Sequence, residues 1–126
     1  MFKPNSVILY VEDVEKSTKF YADVLQNSPI ERFQEFSLFS LGDDVTLGLQ
    51  SAQGIDPKPQ PSFGGFELSL SDVSREEVDQ VYSLWKEKGI PIVLEPIDLD
   101  FGYTFVATDP DGHRLRVCAT DTTNVS

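Results

Sequence analysis

Along "SVILYVEDVEKSTKFYADVL" the spacing of apolar residues changes period partway through. From Val7 to Val11 apolar side chains crowd a short β-branched run, which predicts a strand. From Asp13 onward Val14, Thr18, Tyr21 and Leu25 recur at helical spacing with Phe20 and Val24 beside them, and Asp13 is a suitable N-cap. The helix should stop near "QNSP", where Asn27 can take a left-handed backbone and Pro29 blocks continuation.

The same plan returns in "FELSLSDVSREEVDQVYSLWKEKGIPI". A strand is predicted from Phe66 to Leu70 and a helix from about Arg75 to Lys88. Ser74 and Glu77 form an S-x-x-E capping box, Val78, Val81, Tyr82 and Trp85 make the buried stripe, and Gly89 closes the helix. Overlaying Asp13 on Asp72 aligns strand with strand and helix with helix, so a unit of about sixty residues is used twice.

After each helix come short strand candidates: "ERFQEF", "SLFSL" and "VTLGLQ", then "PIVLEPI", "YTFVAT" and "HRLRVCA". Gly42, Asp43 and Asp44 mark one turn and "DPDG" another, with Pro110 at the second turn position and Gly112 where positive φ is wanted. Each half reads as strand, helix, strand, strand, strand. The expected class is α+β: two tandem βαβββ modules, residues 1–52 and 65–121, with a 53–64 linker and a 122–126 tail, in one domain spanning 1–126. In the linker Pro57, Pro59 and Pro61 forbid a central strand.

One helix covers one face of a four-stranded sheet, so each module keeps a second face, and a curved mixed sheet built from both would surround a cavity. Alternation assigns Val7, Leu9 and Val11 to the first helix and Ser6, Ile8 and Tyr10 to the hollow. In the second half Phe66, Leu68 and Leu70 are expected under the helix, with Gly65, Glu67 and Ser69 opposite. Leu115 and Val117 take the helix side, which turns Arg114, Arg116 and Cys118 away from it.

The chain has 126 residues, 40% of them hydrophobic, and a formal net charge of -11. That length buries roughly two thirds of the unfolded surface, enough for a core without staples. The charge argues against nucleic acid and anionic membranes as partners, since phosphate binding needs clustered Lys and Arg. No run of eighteen apolar residues exists, and "MFKPNS" lacks the layout of a signal peptide, so a soluble, cytoplasmic protein is expected. A single cysteine, Cys118, permits no internal disulfide and reads as a small buried hydrophobe.

"LYVEDVEKSTKFYADVL" and "DPDGHRLRV", with the internal repeat, resemble the opening and closing segments of the glyoxalase/bleomycin resistance family, the vicinal oxygen chelate superfamily. Within it, "FGYTFVATDPDGHRLRVCATD" is most similar to the phenazine antibiotic resistance proteins, small dimers that sequester an aromatic drug. The resemblance implies four inward-facing positions where the family's enzymes hold a divalent metal with His, Gln or Glu. They fall here on Ser6, Gly48, Gly65 and Arg116. None suits a cation that wants carboxylate oxygen or imidazole nitrogen, and a permanently charged guanidinium repels one. No metal or other cofactor is therefore expected.

The leading expectation is a homodimeric, non-catalytic protein that binds a planar aromatic molecule, such as a phenazine-like antibiotic carrying a carboxylate. Its ligand-binding residues are expected to be Tyr10, Phe39, Gln50, Phe63, Glu67, Tyr103 and Arg116. Tyr10 offers an aromatic face and a phenol, and its alternative is cavity packing. Arg116 can pair with Glu67 or meet a ligand carboxylate. Gln50 stands where the resemblance implies an aromatic stacker. Phe39, Phe63 and Tyr103, with Phe101, add aromatic area, though such residues are more often core than site. Trp85 reads as core on its helical stripe, and His113 as a turn residue without a partner evident in sequence. Asp109 and Asp111 are explained by the turn. Two alternatives stay open: a metal-dependent enzyme of the superfamily, with Glu67 and His113 among its ligands, and an interaction module whose hollow is filled by side chains.

Overall fold

The fold was obtained as a computed structural model, which describes residues 1–60, 66–123 and 125. The chain divides into two compact units, Met1–Pro61 and Ser62–Ser126. Each is a βαβββ module with its own four-stranded mixed sheet, as the repeat predicts, and neither sheet is a closed barrel.

In the first unit β1 (Ser6–Val11) leads to helix α1 (Val14–Leu25), followed by β2 (Glu31–Arg32), β3 (Phe36–Gly42) and β4 (Val45–Ser51). The sheet order is β1-β4-β3-β2, with β1 parallel to β4 and the other pairs antiparallel. Asp13 caps α1 by accepting from the Lys16 amide at 3.0 Å. The helix ends one residue earlier than predicted. Gln26, not Asn27, takes the left-handed backbone (φ 53°), and its side-chain amide closes on the Asp23 carbonyl at 2.6 Å. Val14, Ser17, Thr18 and Tyr21 form the buried side of α1. The Thr18 hydroxyl donates to the Val14 carbonyl (2.6 Å) and meets the Ser37 hydroxyl at 2.8 Å, which joins helix to sheet through a satisfied buried pair. Between β3 and β4, Asp43 (φ 49°) and Asp44 (φ 64°) make a two-residue hairpin turn with both central residues left-handed.

The second unit repeats this order: β5 (Glu67–Leu70), α2 (Arg75–Glu87), β6 (Ile92–Leu99), β7 (Gly102–Thr108) and β8 (Arg114–Thr120), arranged β5-β8-β7-β6. Ser74 accepts from the Glu77 amide at 3.0 Å, and Gly89 leaves the helix at φ 78°. Val78, Trp85, Phe105 and Val117 are buried between α2 and the sheet, and both Tyr82 and Trp85 meet the Phe105 ring edge-on at 5.6 Å. Pro96 is tolerated in β6 because that strand is an edge and its register shifts between Leu94 and Ile97.

Two expectations about the repeat are corrected. The Asp13–Asp72 overlay holds for the strands, but α2 starts two residues later than α1 relative to them. Ser74 caps α2 from Arg75, as its S-x-x-E box predicts, while Asp72 sits in the connection at φ 62°. Phe66 and Leu70 are exposed rather than packed under α2, and only Leu68 in that set is partly covered. β5 is a four-residue edge strand, and the Phe66 ring instead meets His113 edge-on at 6.2 Å.

Candidate ligand-binding site

In the first unit, strand register aligns three rows on the face turned away from α1: Ser6, Thr46 and Ser40; Ile8, Gly48 and Leu38; Tyr10, Gln50 and Phe36. Tyr10 and Ile8 are exposed, at 46% and 42%. The Gln50 side-chain amide donates to the Ser51 carbonyl at 3.1 Å beside Tyr10. Gly48 leaves room for the side chains flanking it, since a Cβ there would stand 2.6 Å from Ile8 Cδ1 and 2.9 Å from the Phe36 ring. Phe39 is a correction. It is fully buried on the α1 face, one residue out of step with Leu38 and Ser40, so it supports the sheet from behind.

In the second unit the face away from α2 carries Glu67 and Ser69, Arg114, Arg116 and Cys118, and Thr104 and Val106. Arg116 is its centre. Nε donates to Glu67 Oε1 at 2.9 Å, a terminal guanidinium nitrogen donates to Thr104 Oγ1 at 3.2 Å, and the guanidinium carbon lies 5.2 Å from the Phe101 ring centre. The Arg116 side chain is 14% exposed and that of Glu67 36%, so the pair stands at the edge of water with its hydrogen bonds fixed. Cys118 is buried beside them. Thr104 was absent from the expected set, and Phe101 was weighed only as added aromatic area. Thr104 was legible, because Phe105 faces α2 and its neighbour must then face Arg116. Phe101 comes from the β6–β7 turn and carries no periodic signal.

Tyr103 is the second correction. Alternation with Phe105 places it on the α2 side, where its hydroxyl donates to Asp79 at 2.6 Å and the Arg75 guanidinium stacks on its ring at 4.1 Å. Arg75 also pairs with Asp98 through two contacts of 2.6 and 3.4 Å. The hydrogen bond to Asp98 raises the Arg75 pKa and lowers that of Asp98, and the bond to Asp79 raises that of the Tyr103 phenol. Arg75, Asp98 and Tyr103 border a polar cavity of about 460 Å³ that Asp100 and Asp121 also line. Phe63 and Gly65 lie outside the described residues.

The "DPDG" hairpin supplies His113 with a partner the sequence did not reveal. The buried Asp109 carboxylate accepts from the amides of Asp111 (2.9 Å) and His113 (2.8 Å) and meets His113 Nδ1 at 2.7 Å. That hydrogen bond raises the His113 pKa above its ordinary value, against the opposing effect of burial.

The metal positions implied by the resemblance do not fit a divalent cation where they are described. Ser6 hydrogen-bonds Thr46 at 2.6 Å, Gly48 has no donor and no room for one without displacing Ile8 and Phe36, and Arg116 brings positive charge. No group of three His, Cys, Asp or Glu side chains converges as a metal site among the described residues. No helix among them is long and apolar enough to cross a membrane.

Two βαβββ modules with this hairpin define a known class. Residues 3–117 match the Glyoxalase/Bleomycin resistance protein/Dioxygenase superfamily, and the chain belongs to it. It is 33% identical over 94% of its length to the phenazine antibiotic resistance protein EhpR of Enterobacter agglomerans, covering 92% of that protein. Among solved structures, protein ATC0852 of Agrobacterium tumefaciens is 39% identical and superposes with a TM-score of 0.83 over 96% of this chain and 99% of that one. A lactoylglutathione lyase of the same organism, at 20% identity, shares the fold alone, with a TM-score of 0.73 over 92% of each chain.

Proposed function

We propose that the protein binds and sequesters a planar aromatic small molecule of the phenazine antibiotic type, without a metal and without turning it over. Its kinship with a phenazine resistance protein supports antibiotic-binding resistance at the level of the family. The observation that carries the metal-free reading is Arg116. A guanidinium held by Glu67 and Thr104 beside the Phe101 ring occupies the place where the superfamily's enzymes are expected to need a carboxylate. It offers a fixed polar contact next to an aromatic surface, the combination that orients a flat, largely apolar ligand.

The first unit offers a different surface: Tyr10, with Gln50 and Phe36 in its row, presents aromatic area and an amide on the face away from its helix. Tyr10 suits stacking and Gln50 an edge contact. Resistance by this route lowers free drug concentration and needs protein in at least stoichiometric amount. A homodimer is part of the proposal, on the strength of the family resemblance.

The test is calorimetric titration of chelator-treated protein with phenazine-1-carboxylic acid and unsubstituted phenazine. Saturable binding near one ligand per site without metal is the expected result. Binding that returns only when a divalent metal is added back would overturn the reading in favour of a metal-dependent enzyme.

A further inference from the structure

We infer that the Arg116–Glu67 pair selects a ligand whose polar edge is neutral and carries both an acceptor and a donor, such as a primary carboxamide, over one that ends in a carboxylate. This rests on the proposed binding function and specifies its ligand class. Arg116 alone points the other way, since a free guanidinium captures a carboxylate through two parallel hydrogen bonds. In this protein two of its five N–H groups are committed, that of Nε to Glu67 and one of those on Nη1 to Thr104. Of the three guanidinium nitrogens, Nη2 has no partner among the described residues, and none of the buried side-chain polar atoms there is left unsatisfied, so Nη2 reaches accessible space.

Beside it stands the Glu67 carboxylate, which uses Oε1 for Arg116 and keeps Oε2 without a partner among the described residues, on a partly exposed side chain. The pair thus presents uncommitted guanidinium N–H donors and a carboxylate acceptor side by side, with its charges already cancelled. An amide matches both, its carbonyl accepting from Arg116 Nη2 and its N–H donating to Glu67 Oε2. A carboxylate can accept from the same guanidinium N–H groups, but it leaves Glu67 Oε2 without a donor and meets a like charge across a partly desolvated gap, the arrangement that rejects wrong partners. Glu67 is therefore a specificity residue and not only the counter-ion of Arg116.

The experiment compares phenazine-1-carboxylic acid with phenazine-1-carboxamide by calorimetry, near neutral pH, on the full chain and on Glu67→Gln. The wild-type protein is expected to bind the amide on the order of tenfold more tightly than the acid. Glu67→Gln, which keeps the shape and removes the charge, is expected to shrink or invert that ratio chiefly by strengthening acid binding. Circular dichroism of the variant confirms that this exposed edge-strand change leaves the fold intact. Preference for the acid in the wild type, or a ratio unmoved by Glu67→Gln, overturns the inference while leaving sequestration standing. Failure of both probes to bind overturns the two together.

Discussion

The buried carboxylate of Asp109 and the imidazole of His113 lie 2.7 Å apart across the turn that joins β7 to β8. The contact, more than burial, sets the imidazole's proton affinity, and it raises the folded pKa above the ordinary histidine value of 6.5. A group whose pKa is higher in the folded state contributes stability that is complete below its unfolded value and is lost as pH rises through the folded one. Raising the pH from about 6 to about 9 should therefore lower the urea midpoint through this pair. His113 is the only histidine. His113→Gln should flatten the slope in that window, and an unchanged slope would show that the pair does not govern it.

Asp109 has a second role that the same turn tests separately. Its carboxylate accepts from two backbone amides as well as the imidazole, so Asp109→Ala strands several donors at once. A loss on the order of 2 kcal/mol or more is expected from denaturant unfolding. Asp111→Ala should be milder, because the amides of Asp111 and His113 both donate to the Asp109 carboxylate, which that change leaves in place.

The turn between β3 and β4 is chemically suboptimal. Two aspartates sit where both residues need positive φ, in a chain whose net charge is already -11. Replacing Asp43 by Asn and Asp44 by Gly installs the pair that this geometry prefers and removes two negative charges. A gain of about 0.5–1 kcal/mol is expected, the relief of the left-handed backbone cost less the added freedom of an unfolded glycine. Equal or lower stability would mean that the aspartate side chains make compensating contacts.

Much of this architecture was legible because local signals agreed with one another. The switch from strand to helix at Asp13, the Ser74–Glu77 box and the "DPDG" turn each fixed an element by capping or backbone chemistry, and the repeat gave the same topology to both halves. Residue facing was harder. Alternation was applied to β1, β5 and β8, and it held in β1 and β8, but Phe66 and Leu70 escaped it because a short edge strand has neighbours on only one side. Phe39 and Tyr103 were grouped with the site for their aromatic character alone. Their strands put them on the helix sides, Phe39 in the first core and Tyr103 on Asp79 and Arg75. The His113–Asp109 contact was hidden for a different reason: only the folded turn brings a side chain back to one four residues earlier.

Opposite faces of the first sheet give the last prediction, because Tyr10 and Phe39 are both aromatic and stand on different sides of it. Phe39 is fully enclosed, so Phe39→Ala should leave a cavity and cost about 3–5 kcal/mol. Tyr10 is 46% exposed and packs less, so Tyr10→Ala should change the unfolding midpoint little. If Tyr10 stacks on a phenazine, the same variant should lose on the order of 1 kcal/mol or more of binding free energy, measured with unsubstituted phenazine to keep Arg116 out of the comparison. Tyr10→Phe separates ring from hydroxyl: retained affinity assigns the effect to stacking, while a loss equal to that of Tyr10→Ala assigns it to a hydrogen bond from the phenol. An affinity unchanged in both variants would remove Tyr10 from the site and leave the second unit, around Arg116, to hold the ligand.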